Sequence, residues 1–453
     1  MLGALGLLLA GGCAAPPPAA PRNVLDALEG TLPRDPEHRD YVLARMEFAR
    51  AALRLGSYAR AEPKLREARE QFDVERANTG AALGSEARKY YKGETYERAM
   101  LWWYSGYVFY HLGNYEDAER SFRRAVDADR GAVVKKDTPE VYGDDFALAY
   151  FWLGKTYARL GRTDQCAIAF RKAAVETPRK QRERELKQDH QAAQRLAKRR
   201  ADGERWANAT FRDPARPKTY LAAAVDPSTA APPADGAPLA CAAPDNPVET
   251  AVGERAQLFD AEFQRAANVT AIIELGACPY KELAGMQNER TEIRRPFILP
   301  EQVAVYVDGH FAGAAHRLLD LWDQASTQDR IAEKDVAQAT KMVAKEVLRR
   351  TPYIGFLFGM WDVSGDVRHW TSLPGRVYVF TGRLKPGVHT LRFELRDIAG
   401  APLPRWTNTY YGLRVPESGE TCVLLEPRPE ADNLLSDEQV KLAVAAGARP
   451  GSE

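Results

Sequence analysis

The chain lacks the features that assign a sequence to the commonest functional classes. Its apolar runs are shorter than the about 20 residues that a helix needs to cross a bilayer. The 63 basic and 62 acidic side chains nearly cancel, so a net charge of +1 gives no reason to expect nucleic-acid binding. No His-Glu-x-x-His zinc motif and no Gly-x-Ser-x-Gly nucleophile motif occurs. We therefore expect a non-enzymatic protein with no catalytic residues, no metal and no cofactor.

One stretch imitates a phosphate-binding loop. Residues 149–156 read AYFWLGKT, which fits the loosest form of that motif. The four central residues are large and mostly aromatic, so they cannot form the open glycine-rich turn that wraps a phosphate. The preceding residues suit a turn and a helix start rather than a buried strand. The match is attributed to chance, and Lys155 is predicted to lie on a helix.

A helical repeat accounts for the same residues. Small residues, aromatics and turn glycines recur at fixed offsets in three copies: Gly56, Tyr58, Ala61, Leu65 and Ala68; Trp102, Gly106, Phe109, Gly113, Tyr115, Ala118, Phe122 and Ala125; Tyr150, Leu153, Gly154, Tyr157, Gly161, Cys166, Phe170, Ala173 and Pro178. This pattern resembles the tetratricopeptide repeat, in which each copy is a pair of helices. The turn glycines stand 57 and 48 residues apart, against a usual period of about 34. An irregular helical array with inserted segments is therefore predicted.

The first helices of such an array line a concave face. On the repeat register this face carries aromatic and basic residues, namely Trp103, Tyr107, Tyr110, His111, Phe151, Lys155 and Arg159. As a partner-binding groove, it would use the aromatics for apolar contact, and Lys155 with Arg159 to bind a carboxylate. The alternative is that several of the aromatics are core residues covered by an added helix.

The N-terminal segment, residues 2–13, is apolar and ends at Cys13, with a Pro/Ala tract after it. It looks like a bacterial lipoprotein signal in which Cys13 becomes the lipidated first residue. Ala14, in place of Asp, resembles outer-membrane sorting, so we expect an exported protein anchored to the outer membrane and facing the periplasm. The alternative is an ordinary secretory signal or an apolar tail.

Changes in composition divide the chain into five parts. These are a signal and tether (1–22), the helical repeat domain (23–215), a Pro/Ala-rich linker (216–250), a β-rich domain (251–428) and a tail (429–453). The repeat domain ends in a segment with ten basic and five acidic residues, 179–205. We interpret this segment as a solvated helix, with binding to anionic lipid as the alternative.

Alternating apolar residues after the linker predict strands. Val303, Val305 and Val307 share one strand face, and Asp308-Gly309 forms a turn. Two further pairs of strands surround Pro386-Gly387 and Ser418-Gly419, and residues 329–351 form an amphipathic helix between the strands. The fold class is therefore α+β and multidomain, with an N-terminal all-α array and a C-terminal antiparallel β-sandwich that carries a helical insertion.

Five cysteines are present, and none has metal-type spacing. Apart from Cys13 they are Cys166, Cys241, Cys278 and Cys422. Cys166 takes a small-residue position of its repeat and is expected to be a buried thiol. An even number in an oxidising compartment permits disulfides, and Cys278 with Cys422 is a candidate bridge.

A wider resemblance covers roughly residues 40 to 428. It is carried by KGETYERAMLWWYSGYVFYHLGNYEDAERSFRRA, IELGACPYKE, VYVDGHFAG and GDVRHWTSLPGRVYVFTGRLKPGVHTL. These stretches resemble a family of bacterial lipoproteins, without an established activity, that join tetratricopeptide-like helices to a strand-rich domain. Some members are encoded near activators of peptidoglycan synthases, so the resemblance implies a cell-envelope role. Within the last stretch, Asp366 and Arg368 are interpreted as a structural ion pair beside Trp370.

Together these observations predict a lipid-anchored scaffold that binds an envelope protein or peptide in its repeat groove. The alternative is an envelope hydrolase or a cell-wall carbohydrate-binding module that acts through the C-terminal domain. A hydrolase would need two carboxylates about 5–9.5 Å apart in a cleft.

Overall fold

A computed structural model describes residues 24–72, 90–91, 93–130, 146–174, 246–251, 255–284, 290–296, 298, 300–326, 366–397 and 400–427. Several predictions fall outside these residues. They concern Cys13 and Cys241, the basic segment 179–205, most of the linker, the inserted helix at 329–351 and the tail.

The described residues of the N-terminal part form seven helices: α1 (Val24–Gly30), α2 (Tyr41–Arg54), α3 (Tyr58–Phe72), α4 (Thr95–His111), α5 (Tyr115–Arg130), α6 (Ala147–Arg159) and α7 (Thr163–Ala174). They pack as the pairs α2/α3, α4/α5 and α6/α7, as the repeat pattern predicts. The turns of the three pairs contain Gly56, Gly113 and Gly161, all with positive φ, which glycine adopts without steric cost.

Each of the last two pairs is held together by a glycine that lets an aromatic ring approach the first helix. A Cβ added at Gly106 would lie 2.7 Å from the Phe122 ring, and one at Gly154 would lie 2.8 Å from the Phe170 ring. The stretch that imitates a phosphate loop therefore lies inside α6, and its glycine is a helix contact, as predicted.

Within the described residues, ten strands, three short α-helices and one 3-10 helix (Pro404–Trp406) follow. The strands are β1 (Val248–Ala251), β2 (Val269–Ala277), β3 (Tyr280–Ala284), β4 (Arg290–Arg294), β5 (Gln302–Val307), β6 (His310–Asp320), β7 (Pro374–Leu384), β8 (Gly387–Arg396), β9 (Asn408–Val415) and β10 (Thr421–Leu425). The helices are α8 (Arg255–Leu258), α9 (Ala261–Ala266) and α10 (Leu321–Ser326). Strand β1 starts within the segment predicted to be linker.

Eight of the described strands form one sheet: seven follow the hydrogen-bonded order β10-β2-β7-β6-β5-β8-β9, and β1 pairs with β7 off this path. Strands β3 and β4 form a separate pair. The first part of β6 pairs with β5 and its second part pairs with β7. Through this change of partner the path folds into two layers. Apolar residues of both layers, from β2 and β7 on one side and from β5, β8 and β9 on the other, share one core.

Strand pairing differs from the sequence-based prediction in two respects. The strands on either side of Pro386-Gly387, β7 and β8, do not pair with each other, and neither do β9 and β10. Both connections instead cross between the two layers. Strand β10 pairs with β2 in parallel orientation, so the sheet is not purely antiparallel. By contrast, β5 and β6 do form a hairpin at Asp308-Gly309, where both residues have positive φ as this tight turn requires.

Strand β2 is buried on both faces. Val269, Ala271, Ile273 and Leu275 face the core between the layers, whereas Ile272 joins the core that contains the helices. Val377 and Val379 of β7 lie in the same helical core. The outer face of the sheet therefore packs directly on the repeat array.

Candidate functional site

The residues predicted to line a partner groove lie at the contact between the helices and the sheet. Trp103, Tyr107 and Phe151 are fully buried, and Lys155 and Tyr110 retain 2% and 6% exposure. His111 is half-buried, and the Arg159 side chain is 34% exposed. The expectation of an open concave groove is thus wrong for the described chain, because its own sheet domain covers this face. That these residues contact a partner stays a prediction.

A carboxylate does occupy the position predicted for one, and it belongs to the same chain. The carboxylate of Glu420, just before β10, forms ion pairs with Lys155 Nζ at 2.5 Å and with Arg159 Nη2 at 3.0 Å. The Thr270 hydroxyl donates to it at 2.6 Å, and the Tyr110 hydroxyl at 2.9 Å. The Glu420 side chain is only 3% exposed. Lys155 and Arg159 therefore bind a carboxylate, as their chemistry suggests, but within the molecule.

The electrostatics of this cluster favour the charged carboxylate. Burial acts to raise the pKa of Glu420, but the charge and hydrogen bond of Lys155, the hydrogen bond from Thr270 and the charge of Arg159 outweigh it and lower the pKa to about 2. The pKa of the Tyr110 hydroxyl is raised by burial and by the neighbouring Glu420. The cluster is therefore an ion pair at neutral pH, with Tyr110 as a neutral donor.

A second buried ion pair lies nearer the first repeat. Arg50 of α2 and Glu274 of β2 are both completely buried and contact each other directly. The Tyr104 hydroxyl of α4 also donates to Glu274, at 2.6 Å. At the edge of the same contact, Arg54 donates to Glu426 at 2.9 Å. Two successive repeats thus hold one carboxylate of the sheet.

The start of α4 provides a third contact. Glu97 is completely buried and accepts the backbone N–H of Trp370 at 2.6 Å. Burial raises the pKa of Glu97, an effect that the nearby charge of Lys281 opposes. Lys281 of β3 pairs with Glu94 at 2.7 Å. The N-terminal end of α4 is therefore bound to the segment that precedes β7.

The motif Asp366, Arg368 and Trp370 belongs to this contact. Arg368 pairs with Asp366 at 2.8 Å and, across the interface, with Asp40 before α2, also at 2.8 Å. Trp370 is fully buried in the core shared with the helices. Residues 366–370 have no regular secondary structure, so strand alternation does not bring the two charges together. Instead the Arg368 backbone N–H also donates to Asp366, at 3.0 Å. The motif joins the two domains.

Aromatic rings fill the space between the ion pairs. His111 stacks on Tyr58 with ring centroids 4.2 Å apart, and Tyr107 meets His111 edge-on at 4.5 Å. Tyr107 and Tyr110 both pack edge-on against Trp152. Burial lowers the pKa of His111 to about 4, so it is neutral at physiological pH. These rings form an apolar contact. This agrees with the alternative that the aromatics are core residues, except that the sheet covers them instead of an added helix.

Sequence reasoning missed the two carboxylates that the sheet domain supplies, Glu274 and Glu420, and the helical partner of the first, Arg50. Glu274 offered the clearest signal, because it is the single charge in the apolar strand segment NVTAIIEL, and a charge in a strand buried on both faces needs a partner. Glu420 directly follows the Ser418-Gly419 turn, and the residues around it give no sign that its side chain is buried.

The thiols within the described residues are unpaired. Cys166, Cys278 and Cys422 are free, so the suggested Cys278–Cys422 bridge is wrong. Cys278 instead lies with its Sγ 3.2 Å from the carbonyl oxygen of Trp370. Cys166 is buried, with 1% exposure, as its repeat position predicts.

Two features are absent from the described residues. None of their helices combines the length and the apolar character that a membrane crossing requires. They also contain no group of three or more His, Cys, Asp and Glu side chains arranged to hold a metal ion.

Comparison with known proteins supports the assignment of the repeats. Residues 46–133 and residues 147–174 each match a model of the tetratricopeptide repeat. No curated protein is similar enough to the chain to count as a match. The N-terminal part is thus a tetratricopeptide-like helical array, a module that suggests a scaffold for protein–protein interaction, and a strand-rich domain follows it.

Proposed function

We propose that the protein is a non-enzymatic scaffold of the bacterial cell envelope that is exported, anchored by lipid at Cys13, and bound to a partner protein through its helical repeats. The tetratricopeptide matches at 46–133 and 147–174 support the binding role. The apolar residues 2–13, which end at Cys13, are the basis for the anchor.

The observation that carries the proposal is the joining of the two domains by buried ion pairs. Lys155 with Glu420, and Arg50 with Glu274, cross the contact with side chains at most 3% exposed. Such pairs fix the relative position of the helical array and the sheet, because separating either pair leaves an uncompensated buried charge. The array and the sheet therefore act as one rigid body, which suits a platform for another protein.

Because the sheet domain covers the concave face, a partner must bind elsewhere on the repeats. A peptide cannot reach Tyr107 or Phe151 without displacing the sheet, since both are fully buried. In the proposed scaffold the partner instead contacts the outer surface of the repeats, formed by the second helices of the pairs.

Two experiments on the full chain in bacterial cells test the proposal. Metabolic labelling with an alkyne fatty acid is expected to modify the wild type and to spare Cys13→Ala. Cross-linking of the tagged protein, followed by mass spectrometry, is expected to link residues of the repeats to one envelope protein. An unrelated tagged lipoprotein serves as the control.

Opposite results would overturn the proposal. Equal fatty-acid labelling of the wild type and of Cys13→Ala would refute lipid attachment at Cys13. If the protein cross-links to the same proteins as the control lipoprotein, the proposed scaffold role is refuted. Degradation of peptidoglycan by the purified chain would favour the hydrolase alternative.

A further inference from the structure

A buried histidine lies at one end of the two-layered sheet domain. His389 of β8 retains 7% exposure. Its ring Nδ1 is 2.7 Å from a carboxylate oxygen of Asp308, and its Nε2 is 2.8 Å from the carbonyl oxygen of Lys385. Asp308 belongs to the turn between β5 and β6, and Lys385 to the connection between β7 and β8. Both ring nitrogens therefore face hydrogen-bond acceptors.

This arrangement distinguishes between the protonation states of His389. A neutral imidazole carries one N–H, so it can donate to Asp308 or to Lys385 but not to both, and its second nitrogen would direct a lone pair at the remaining acceptor. The imidazolium carries two N–H groups and donates to both acceptors. It also pairs its positive charge with the Asp308 carboxylate. The contacts are therefore satisfied only when the ring is protonated.

Asp308 is held on β8 by further contacts. The Thr390 N–H donates to the Asp308 carboxylate at 2.7 Å, and the Asp308 N–H donates to the Thr390 carbonyl oxygen at 2.9 Å. Among the described residues, Asp308 is the one residue other than glycine with a positive φ, 48°. Such residues adopt this conformation infrequently. The side chain of the turn is thus bound by two neighbouring donors of β8, His389 and Thr390.

The second acceptor lies where the chain crosses between the two layers. Lys385 precedes Pro386-Gly387, which leads from β7 to β8. Its own N–H donates to the carbonyl oxygen of Pro247, just before β1, at 3.0 Å. The ring of His389 therefore links the β5–β6 turn to the β7–β8 connection and, through Lys385, to the start of the sheet domain.

The titratable and charged groups around the ring come from each neighbouring element. Asp308 is the group that forms an ion pair with it. Lys385 faces it through the carbonyl oxygen. His310, which starts β6 beyond the turn, pairs with the residue before Asp308. On β9, Arg414 pairs with the residue before His389 and so lies on the opposite face of the sheet. A change of charge on the ring therefore acts mainly on Asp308.

We propose that His389 is a pH-sensitive link at this end of the sheet domain. With the proton bound, the ring holds the β5–β6 turn and the β7–β8 connection together. When the proton leaves as the pH rises, the ring loses one of its two donors and the charge that pairs with Asp308, so the two segments separate more readily. The link is independent of the proposed scaffold role, because its groups all belong to the sheet domain.

Hydrogen exchange measured by mass spectrometry on the full chain tests the proposal between about pH 5.5 and about pH 9, where a histidine titrates. The rates are corrected for the intrinsic exchange rate at each pH. The reporter regions are residues 304–312, around the turn, and residues 382–392, around the connection. Residues 374–380 in the body of β7 are the internal reference.

Three variants and one spectroscopic measurement complete the design. His389→Gln removes the titratable ring, and Asp308→Asn keeps a residue suited to the turn but removes its charge. His310→Gln is the matched control, because it removes a histidine beside the same turn. Nitrogen-15 NMR of labelled histidine follows the His389 ring itself, which is assigned by its absence from the spectrum of His389→Gln or, if that variant does not fold, by its altered position in Asp308→Asn.

In the wild type and in His310→Gln, protection of both reporter regions should fall about fivefold or more as the pH rises, which is the size expected for one lost hydrogen bond. The fall should coincide with the titration of the His389 ring, and the reference region should change less than about twofold. His389→Gln should exchange rapidly at every pH, and Asp308→Asn should lose most of the pH response. Protection that stays constant while the ring titrates, or a pH response that persists in either variant, would overturn the proposal.

Discussion

Replacing Glu420 by Gln tests whether the buried ion pair joins the two domains. The carboxylate accepts from Lys155, Arg159, Thr270 and Tyr110. Gln keeps the shape and part of the hydrogen bonding but removes the negative charge. Lys155, with 2% of its side chain exposed, would then be a buried cation without its counter-charge.

Two lines of reasoning give a similar magnitude. A pKa of about 2 for folded Glu420, against an ordinary value of 4.5, corresponds to about 3 kcal/mol of stability at neutral pH. Removing one partner of a buried ion pair costs about 3–5 kcal/mol. We therefore expect Glu420→Gln to lower the free energy of unfolding by about 3 kcal/mol at pH 7, measured by urea unfolding with tryptophan fluorescence.

The pH dependence has a definite sign. Because the pKa of Glu420 is lowered in the folded chain, its contribution to stability is complete above pH 4.5 and is lost as the pH falls toward 2. The difference in unfolding free energy between wild type and Glu420→Gln should therefore be constant from pH 7 to pH 5 and shrink below pH 4.5.

Glu417→Gln is the matched control, because this residue lies exposed in the same turn and should change stability by less than about 0.5 kcal/mol. Equal stability of wild type and Glu420→Gln at pH 7, or a difference that stays constant down to pH 3, would refute the argument. Combining Glu420→Gln with Lys155→Met should recover part of the loss, since the buried cation is then absent.

Three further predictions concern the repeats, the second ion pair and the thiols. Gly154→Ala should destabilise the chain by about 1–3 kcal/mol in thermal unfolding, because the new methyl group would lie 2.8 Å from the Phe170 ring. Glu274→Gln should cost about 3–5 kcal/mol in urea unfolding, because it removes the direct partner charge of the completely buried Arg50 and leaves only Glu426, 3.9 Å away. Cys278 should resist iodoacetamide at pH 8 in the folded chain and react fully in urea, as judged by mass spectrometry, because burial and then Glu97 raise its pKa to about 12.

Each of these has its own control. Phe170→Leu should relieve part of the Gly154→Ala loss, and an unchanged melting temperature for Gly154→Ala alone would contradict the close helix contact. Glu426→Gln should cost less than about 1 kcal/mol, since this side chain is 26% exposed; a cost equal to that of Glu274→Gln would argue against burial as the cause. Rapid alkylation of native Cys278 would show that its thiol is accessible.

The elements of the fold were largely predictable because they depend on local periodicity. The repeat offsets placed Gly154 and Phe170 at a helix contact, and alternation placed Val303, Val305 and Val307 on one buried strand face. Strand pairing was less predictable. The turn at Pro386-Gly387 looks like a hairpin, but it carries the chain from one layer to the other. A turn joins strands in sequence, whereas the burial of both faces determines which strands pair.

The candidate site, like the fold, was predictable from the sequence only in part. The sequence by itself determined that Lys155 and Arg159 lie on one helix face and that their charges suit a carboxylate. Only the tertiary structure decided which carboxylate this is, because Glu420 lies 261 residues beyond Arg159, and Glu274 lies 224 residues beyond Arg50. Local pattern specifies what a residue can bind, but burial by a distant part of the chain decides whether that residue faces a partner or its own fold.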